Sequence, residues 1–294
     1  MTHQTVDCIV RFHDVRRLDE LTRCIFSLLG QQHRPVNVIL ALQRFSEQDV
    51  ATTRAALAPF FALSGSPSLQ ICNLDQPTPK DARTLLLNMG LGAAQGRYVG
   101  FLDYDDVLYP EAYRLLVDQL QGTGAAIAFA SVRVVLADVF PGFLHIEKEV
   151  PVPFGLGDNL RDLFDANFCP IHSFLIDRQQ VDEVDLMFDS ALNWEEDYDL
   201  LLRICAKYRS SFALIATRIG DYYFKKDASN STPFNGLHTA GLRQAYDRVS
   251  TMIEARRRTT HVSPTVQAEF GLHPVSPEMT IREFMSRVPG RVPA

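Results

Sequence analysis

The sequence predicts an α/β protein with a mostly parallel central sheet flanked by helices. Three observations lead there. Short apolar runs alternate with stretches of helical spacing through the first half of the 294 residues. These runs are apolar throughout rather than at every second position, as in strands buried on both faces. One of them, Tyr98 to Leu102, opens onto Asp103, Asp105 and Asp106, and open α/β sheets bind their ligands just beyond such strand ends.

Taken in order, Cys8 to Val10 form a short strand that runs out at Arg11-Phe12-His13-Asp14. Leu18, Leu21, Ile25, Leu28 and Leu29 recur at helical spacing, with Gly30 as the stop. Val36 to Leu42 is the second strand. Ser46 and Asp49 form a capping box for a helix reaching about Ala62. Leu69 to Leu74 is a strand, Asp81 to Gln95 a helix, and the acidic strand comes next. Pro110 marks the first turn of the next helix. The second half is less regular. Ala125 to Val135 alternates weakly as a strand, and Phe140 to Gly157 reads as loops or a hairpin. Glu195 to Tyr208 is an amphipathic helix and Phe212 to Ile219 a strand. Gly236 to about Arg257 is helical, ending in Arg256-Arg257-Arg258. The remaining residues read as an extended arm with one short helix near Ile281 to Met285.

Bulk properties narrow the function. A net charge of −6 argues against a nucleic-acid binder with a basic surface. Five scattered cysteines without a C-x-x-C pair fit free buried thiols in a reducing compartment. No basic, apolar leader opens the sequence and no stretch is apolar enough to span a membrane, so the expected location is the cytoplasm. The arginine run Arg256 to Arg258 suits a helix end, with a peripheral contact to acidic lipid as the alternative.

The three aspartates carry the functional argument. Strand alternation sends Asp103 and Asp105 to the same side. Two carboxylates about 4 Å apart repel by roughly 4 kcal/mol at an effective dielectric near 20, so a buried cluster needs a cation. A hard divalent ion with oxygen ligands, Mg²⁺ or Mn²⁺, is the expected partner. A lysine seated among the aspartates would stand against that ion.

Four segments in register resemble the family 2 glycosyltransferases, inverting enzymes with the GT-A fold. They are Leu21 to Gln32 in the first helix and Arg83 to Gly100 with Asn88 and Ala94-Gln95-Gly96-Arg97-Tyr98. Next come Phe101-Leu102-Asp103-Tyr104-Asp105-Asp106, similar to the family's DxD motif, and Trp194-Glu195-Glu196-Asp197-Tyr198-Asp199-Leu200 with Arg203, similar to its acceptor-side ED motif. The resemblance covers roughly residues 6 to 230. It implies a domain over residues 1–235, with 1–122 as the donor half and 123–235 as the acceptor half, followed by 236–294 as a helix and arm. The implied donor is a nucleotide-diphosphate sugar and the implied acceptor a glycan, lipid-linked or protein-linked hydroxyl. Asp103 would hold the nucleotide and also approach the metal, and Asp105 would ligate the ion, with His238 as a further ligand. Arg83, Asn88, Tyr104, Phe12, His13 and Arg44 would line the nucleotide, and Trp194 and His172 the acceptor. Asp197 would be the general base and Glu196 its neighbour.

This chain departs from the family at two strand ends. The first reads Arg11-Phe12-His13-Asp14 where a Pro-x-Tyr-Asn-like turn is usual. The second reads Ala41-Leu42-Gln43-Arg44-Phe45 where Asp-Asp-Gly-Ser is usual. The residues leave two alternatives open. One is a GT-A-like module that only binds a saccharide or a partner. The other is a haloacid-dehalogenase-like phosphatase with Asp103 as nucleophile, although that motif normally lies on a first strand.

Overall fold

In the computed structural model, residues 4–63, 67–151, 154, 157–192, 194–226 and 240–290 are described. Nine strands form one sheet: β1 (Val6–Phe12), β2 (Val36–Gln43), β3 (Ser68–Leu74), β4 (Tyr98–Asp103), β5 (Val107–Leu108), β6 (Ile127–Phe140), β7 (Phe143–Glu149), β8 (Phe174–Asp177) and β9 (Ser210–Lys225). Their order is β3-β2-β1-β4-β8-β6-β9-β5, with β7 paired to β6. The first four strands are parallel to one another. Beyond β4 the sheet is mixed: β8 runs antiparallel to β4 and β6, while β6 and β9 are parallel.

Side-chain alternation explains why the early strands read as unbroken apolar runs. Cys8, Val10 and Phe12 face the same core as Val38, Leu40 and Leu102, covered by α1 (Leu18–Leu29) and α4 (Ala112–Thr123). Ile9, Ile39, Val99 and Phe101 face the opposite core, against α3 (Arg83–Ala93) and α6 (Glu196–Lys207). A strand with two dry faces has no polar side to show.

Local signals hold where sequence chemistry is strong. Ser46 and Asp49 make both bonds of the capping box that opens α2 (Glu47–Phe61). Gly30 closes α1. All five cysteines are free and four are buried. The stretch read as loops or a hairpin contains β7, which folds back antiparallel on β6. The strand expected over Phe212 to Ile219 is longer, because β9 continues through Asp221, Tyr222, Tyr223 and Phe224 to Lys225.

The helix expected to end near Arg257 and the short helix near Ile281 to Met285 are both present, but the stretch between them, read as an extended arm, holds a further helix and packs on the core. After α5 (Leu160–Asp165) and α6 come α7 (Ala240–Thr259), α8 (Pro264–Glu269) and α9 (Ile281–Arg287). Val262, Val266, Ile281 and Phe284 are fully buried in the α3/α6 core, and the Phe284 ring meets Phe164 and Phe270 edge-on. A Thr280–Glu283 capping box starts α9. The arginine run is a tether rather than a free patch. Arg256 bonds Asp199 at 2.6 Å, and Arg257 donates to the Phe164 and Asp165 carbonyls and the Tyr198 hydroxyl.

Candidate active site

The carboxyl ends of β1 and β4 open into a cavity of about 640 Å³ lined by Arg11, His13, Arg83, Asp103, Tyr104 and Asp105, among others. That size suits a small-molecule ligand. One wall is the acidic strand end. The facing wall is the loop before α3, which carries Lys80, Asp81 and Arg83. Arg44 holds that loop: it donates to the carbonyls of Gln76, Pro79 and Lys80. To do so its backbone adopts a φ of 56°, a left-handed conformation unusual for a side-chain-bearing residue.

Arg11 organises the acidic wall. On β1 it lies level with Asp103 of β4 in the parallel register. Its Nε and Nη2 donate to the two Asp103 oxygens, each at 2.8 Å. Its Nη1 donates to Glu196 Oε1 at 2.7 Å. One guanidinium therefore links the strand-end motif to the first turn of α6, 185 positions further along the chain. Burial alone would lower the Arg11 pKa, but Asp103 and Glu196 outweigh it and hold it above its usual value.

Each remaining aspartate has its own partner. Asp105 Oδ2 accepts from Lys225 Nζ at 2.6 Å, and the same ammonium donates to Glu20 at 2.9 Å. The Lys225 side chain is fully buried. Asp106 accepts from the Tyr223 backbone N–H at 2.9 Å. Burial pushes its carboxyl well above the usual range, reinforced by Asp105 and Asp103. His172 lies 3.5 Å from Asp106, stacked along the Tyr222 ring. Burial lowers its pKa to about 4, so the ring is neutral near pH 7.

Asp197 sits on the first turn of α6, half-buried. Its carboxyl is pushed well above the usual range by burial, then by Glu196 and Glu195. Glu195, just before the helix, has a φ of 57°. That strained turn aims the start of α6. The later part of the motif is structural: Asp199 is buried and pairs with Arg203 and Arg256.

The structure gathers part of the expected set. His13, Arg83, Asp103, Tyr104 and Asp105 share the cavity. Glu196 joins them through Arg11, and Asp197 is next to Glu196. Phe12 is buried in the core, with its ring against Phe45 and Tyr104. Arg44 acts on the loop from outside the cavity. Asn88 also lies outside it, with both ends of its amide on the Phe188 backbone at 2.9 and 2.8 Å. It clamps the segment that leads to α6. Trp194 packs on the core and on Tyr246 rather than against the cavity, and His172 is buried behind the cavity wall, against the lining residues Asp106 and Tyr222. His238 lies outside the described residues. Sequence reasoning misses Lys225 and the bridging role of Arg11.

A family model, "Glycosyl transferase family 2", matches residues 8–185. The chain belongs to that family. The "Succinoglycan biosynthesis protein ExoO" of Rhizobium meliloti (strain 1021) is 29% identical over 190 residues, 62% of this chain and 51% of that protein. The chain thus spans about half the length of this curated relative. S. aureus TarS 1-349 in complex with UDP-GlcNAc superposes with a TM-score of 0.59 at 16% identity, covering 91% of this chain and 71% of that one. Mannosyltransferase PcManGT from Pyrobaculum calidifontis, in complex with GDP-Man and Mn²⁺, gives 0.56 at 14% identity, covering 91% and 69%. These likenesses establish the shared fold. Among the described residues no helix is long and apolar enough to cross a membrane.

The Mn²⁺ in that neighbour raises the question of fit in this family 2 chain. Both oxygens of Asp103 are engaged by Arg11, and Asp105 is engaged by Lys225. Among the described residues no group of three His, Cys, Asp or Glu side chains is arranged to hold an ion. A dication sharing Asp105 with an ammonium meets repulsion: two unit charges 4 Å apart already cost about 4 kcal/mol at an effective dielectric near 20. Among the described residues, the donor set as it stands does not fit a divalent ion.

Proposed function

We propose that this chain transfers a sugar, with inversion, from a nucleoside-diphosphate donor to an acceptor hydroxyl, with Asp197 as general base. The observation that carries the reading is the Arg11 bridge. It fixes Asp103, at the donor cavity, and Glu196, beside Asp197, in one rigid unit. Inverting transfer needs a leaving group on one side of the sugar and a base on the other. The α3 N-terminus borders the cavity at Arg83, and such ends favour anions such as a diphosphate.

The base must be ionised to act. Because the Asp197 carboxyl is held above the ordinary value, transfer should rise with pH through a midpoint above about 3.9, the value of a free aspartate. Glu196, oriented by Arg11, keeps a second negative charge beside it. The name of the curated relative, a succinoglycan biosynthesis protein, supports polysaccharide assembly as the setting. The acceptor is then a glycan on a lipid or protein carrier.

A thermal-shift panel of nucleoside diphosphates tests the donor reading and identifies the base, since a ligand stabilises the state that binds it. NMR of the product made from the corresponding α-linked donor should show a β linkage. An α product would contradict the single-displacement mechanism.

A further inference from the structure

We infer that Lys225 takes the place of a divalent ion at the Asp105 end of the cluster, and that the donor diphosphate binds without metal against Lys80 and Arg83. This inference rests on the donor reading above. It begins with the aspartates, whose mutual repulsion demands positive charge. The chain supplies that charge itself, from Arg11 for Asp103 and from Lys225 for Asp105.

Lys225 is not a wandering surface side chain. Its backbone is fixed in the parallel register of β9 opposite Ala137 of β6. Its ammonium is pinned by two carboxylates, Asp105 and Glu20, and sits 5.5 Å from the Tyr104 ring centroid. Two residues earlier on the same strand, the Tyr223 N–H holds Asp106. One strand therefore secures both acidic residues that come after Asp103. For an ion to claim Asp105, Lys225 would have to leave a fully buried position and abandon Glu20. Burial of this kind is rarely given up without a replacement partner.

With the acidic wall balanced internally, the anionic donor needs cations elsewhere. The facing wall presents them. Lys80 is exposed, and among the described residues its ammonium makes no ion pair. Arg83 lines the cavity beside it, with Nε and Nη2 on Asp81 and its Nη1 left to meet an anion. Arg44 and Gln43 hold the loop between them by its backbone, so the two cations have a fixed platform. An arginine fork and a lysine are suited to a diphosphate.

The test is calorimetric titration of UDP and GDP into the full chain, after dialysis against EDTA and again with excess Mn²⁺. For whichever nucleotide binds, the two affinities should agree within about 3-fold. Binding that requires Mn²⁺, or strengthens about 10-fold or more with it, overturns the inference and leaves the donor reading standing. Binding of neither nucleotide under either condition overturns both. Lys225→Met should weaken EDTA-treated binding by about 10-fold and make it responsive to Mn²⁺. If that variant does not fold, the wild-type comparison decides alone. Lys80→Ala should lower metal-free affinity about 5-fold. An unchanged affinity would remove the facing wall from the proposal.

Discussion

The two halves of the sheet are built by different rules. From β3 to β4 the strands are parallel, β1, β2 and β4 are largely dry on both faces with β3 as the half-exposed edge, and helices return the chain each time. From β8 to β5 the strands are mixed in direction, unequal in length and interrupted by register shifts. The first half supplies a strand-end cavity, as parallel sheets do. The second half brings Lys225 and Tyr223 from β9 and Glu196 and Asp197 from α6 to that cavity, where Arg11 of the first half meets Glu196. The first half places the site, and the second completes it.

Variants can break this division. The largest stability loss is expected from Phe284→Ala in α9, about 4 kcal/mol, because a fully buried ring between Phe164 and Phe270 leaves a cavity. Urea unfolding should stay a single transition, since α9 shares the α3/α6 core. A separate early transition would show the last helices to be an independent unit. Arg11→Ala comes next, at about 3 kcal/mol, because it leaves Glu196 buried and unpaired. Unlike the Phe284 change, it should also abolish nucleotide binding, which the same titrations would reveal.

Asp106→Asn should act in the opposite direction. The amide oxygen can still accept from the Tyr223 N–H, while the like charge beside Asp103 and Asp105 is removed. The folded pKa lies above the unfolded one, so the folded state retains a proton that the unfolded state has already released. Wild-type stability from this group is therefore complete below about pH 3.9 and declines as pH rises toward the folded value. The variant should gain about 1 kcal/mol or more near pH 7, with a smaller gain near pH 5. Melting curves across that range would show the gap widen with pH. A gap that narrows would mean the carboxylate is stabilised rather than strained.

The same contrast explains how much of the molecule is legible in its sequence. Strands β1, β2 and β4, the Ser46 capping box and the three aspartates leave local marks: largely apolar runs, a four-residue box, an acidic break. The Lys225–Asp105 pair joins residues 120 positions apart and leaves none. Its strand continues through polar Asp221, Tyr222 and Tyr223, so apolar pattern alone stops β9 at Ile219. β5 and β8 have two and four residues, too short for periodicity to register. Arg11 is visible as a departure from the usual strand ending, but its bridge to Glu196 depends on where α6 begins in space. Asn88 belongs to a recognisable motif, yet its role is a clamp on Phe188. α8 reads as part of an arm because its six residues are too few for periodicity and start at a proline.

The central claim is that Asp197 takes the proton of the acceptor hydroxyl in a site assembled by Arg11. Asp197→Asn tests it most directly, with nucleotide affinity and single-turnover transfer measured on the same preparation. The account predicts an affinity within about 3-fold of wild type and transfer reduced by about 10²–10⁴-fold. Undiminished transfer, or equal loss of binding and transfer, would contradict it.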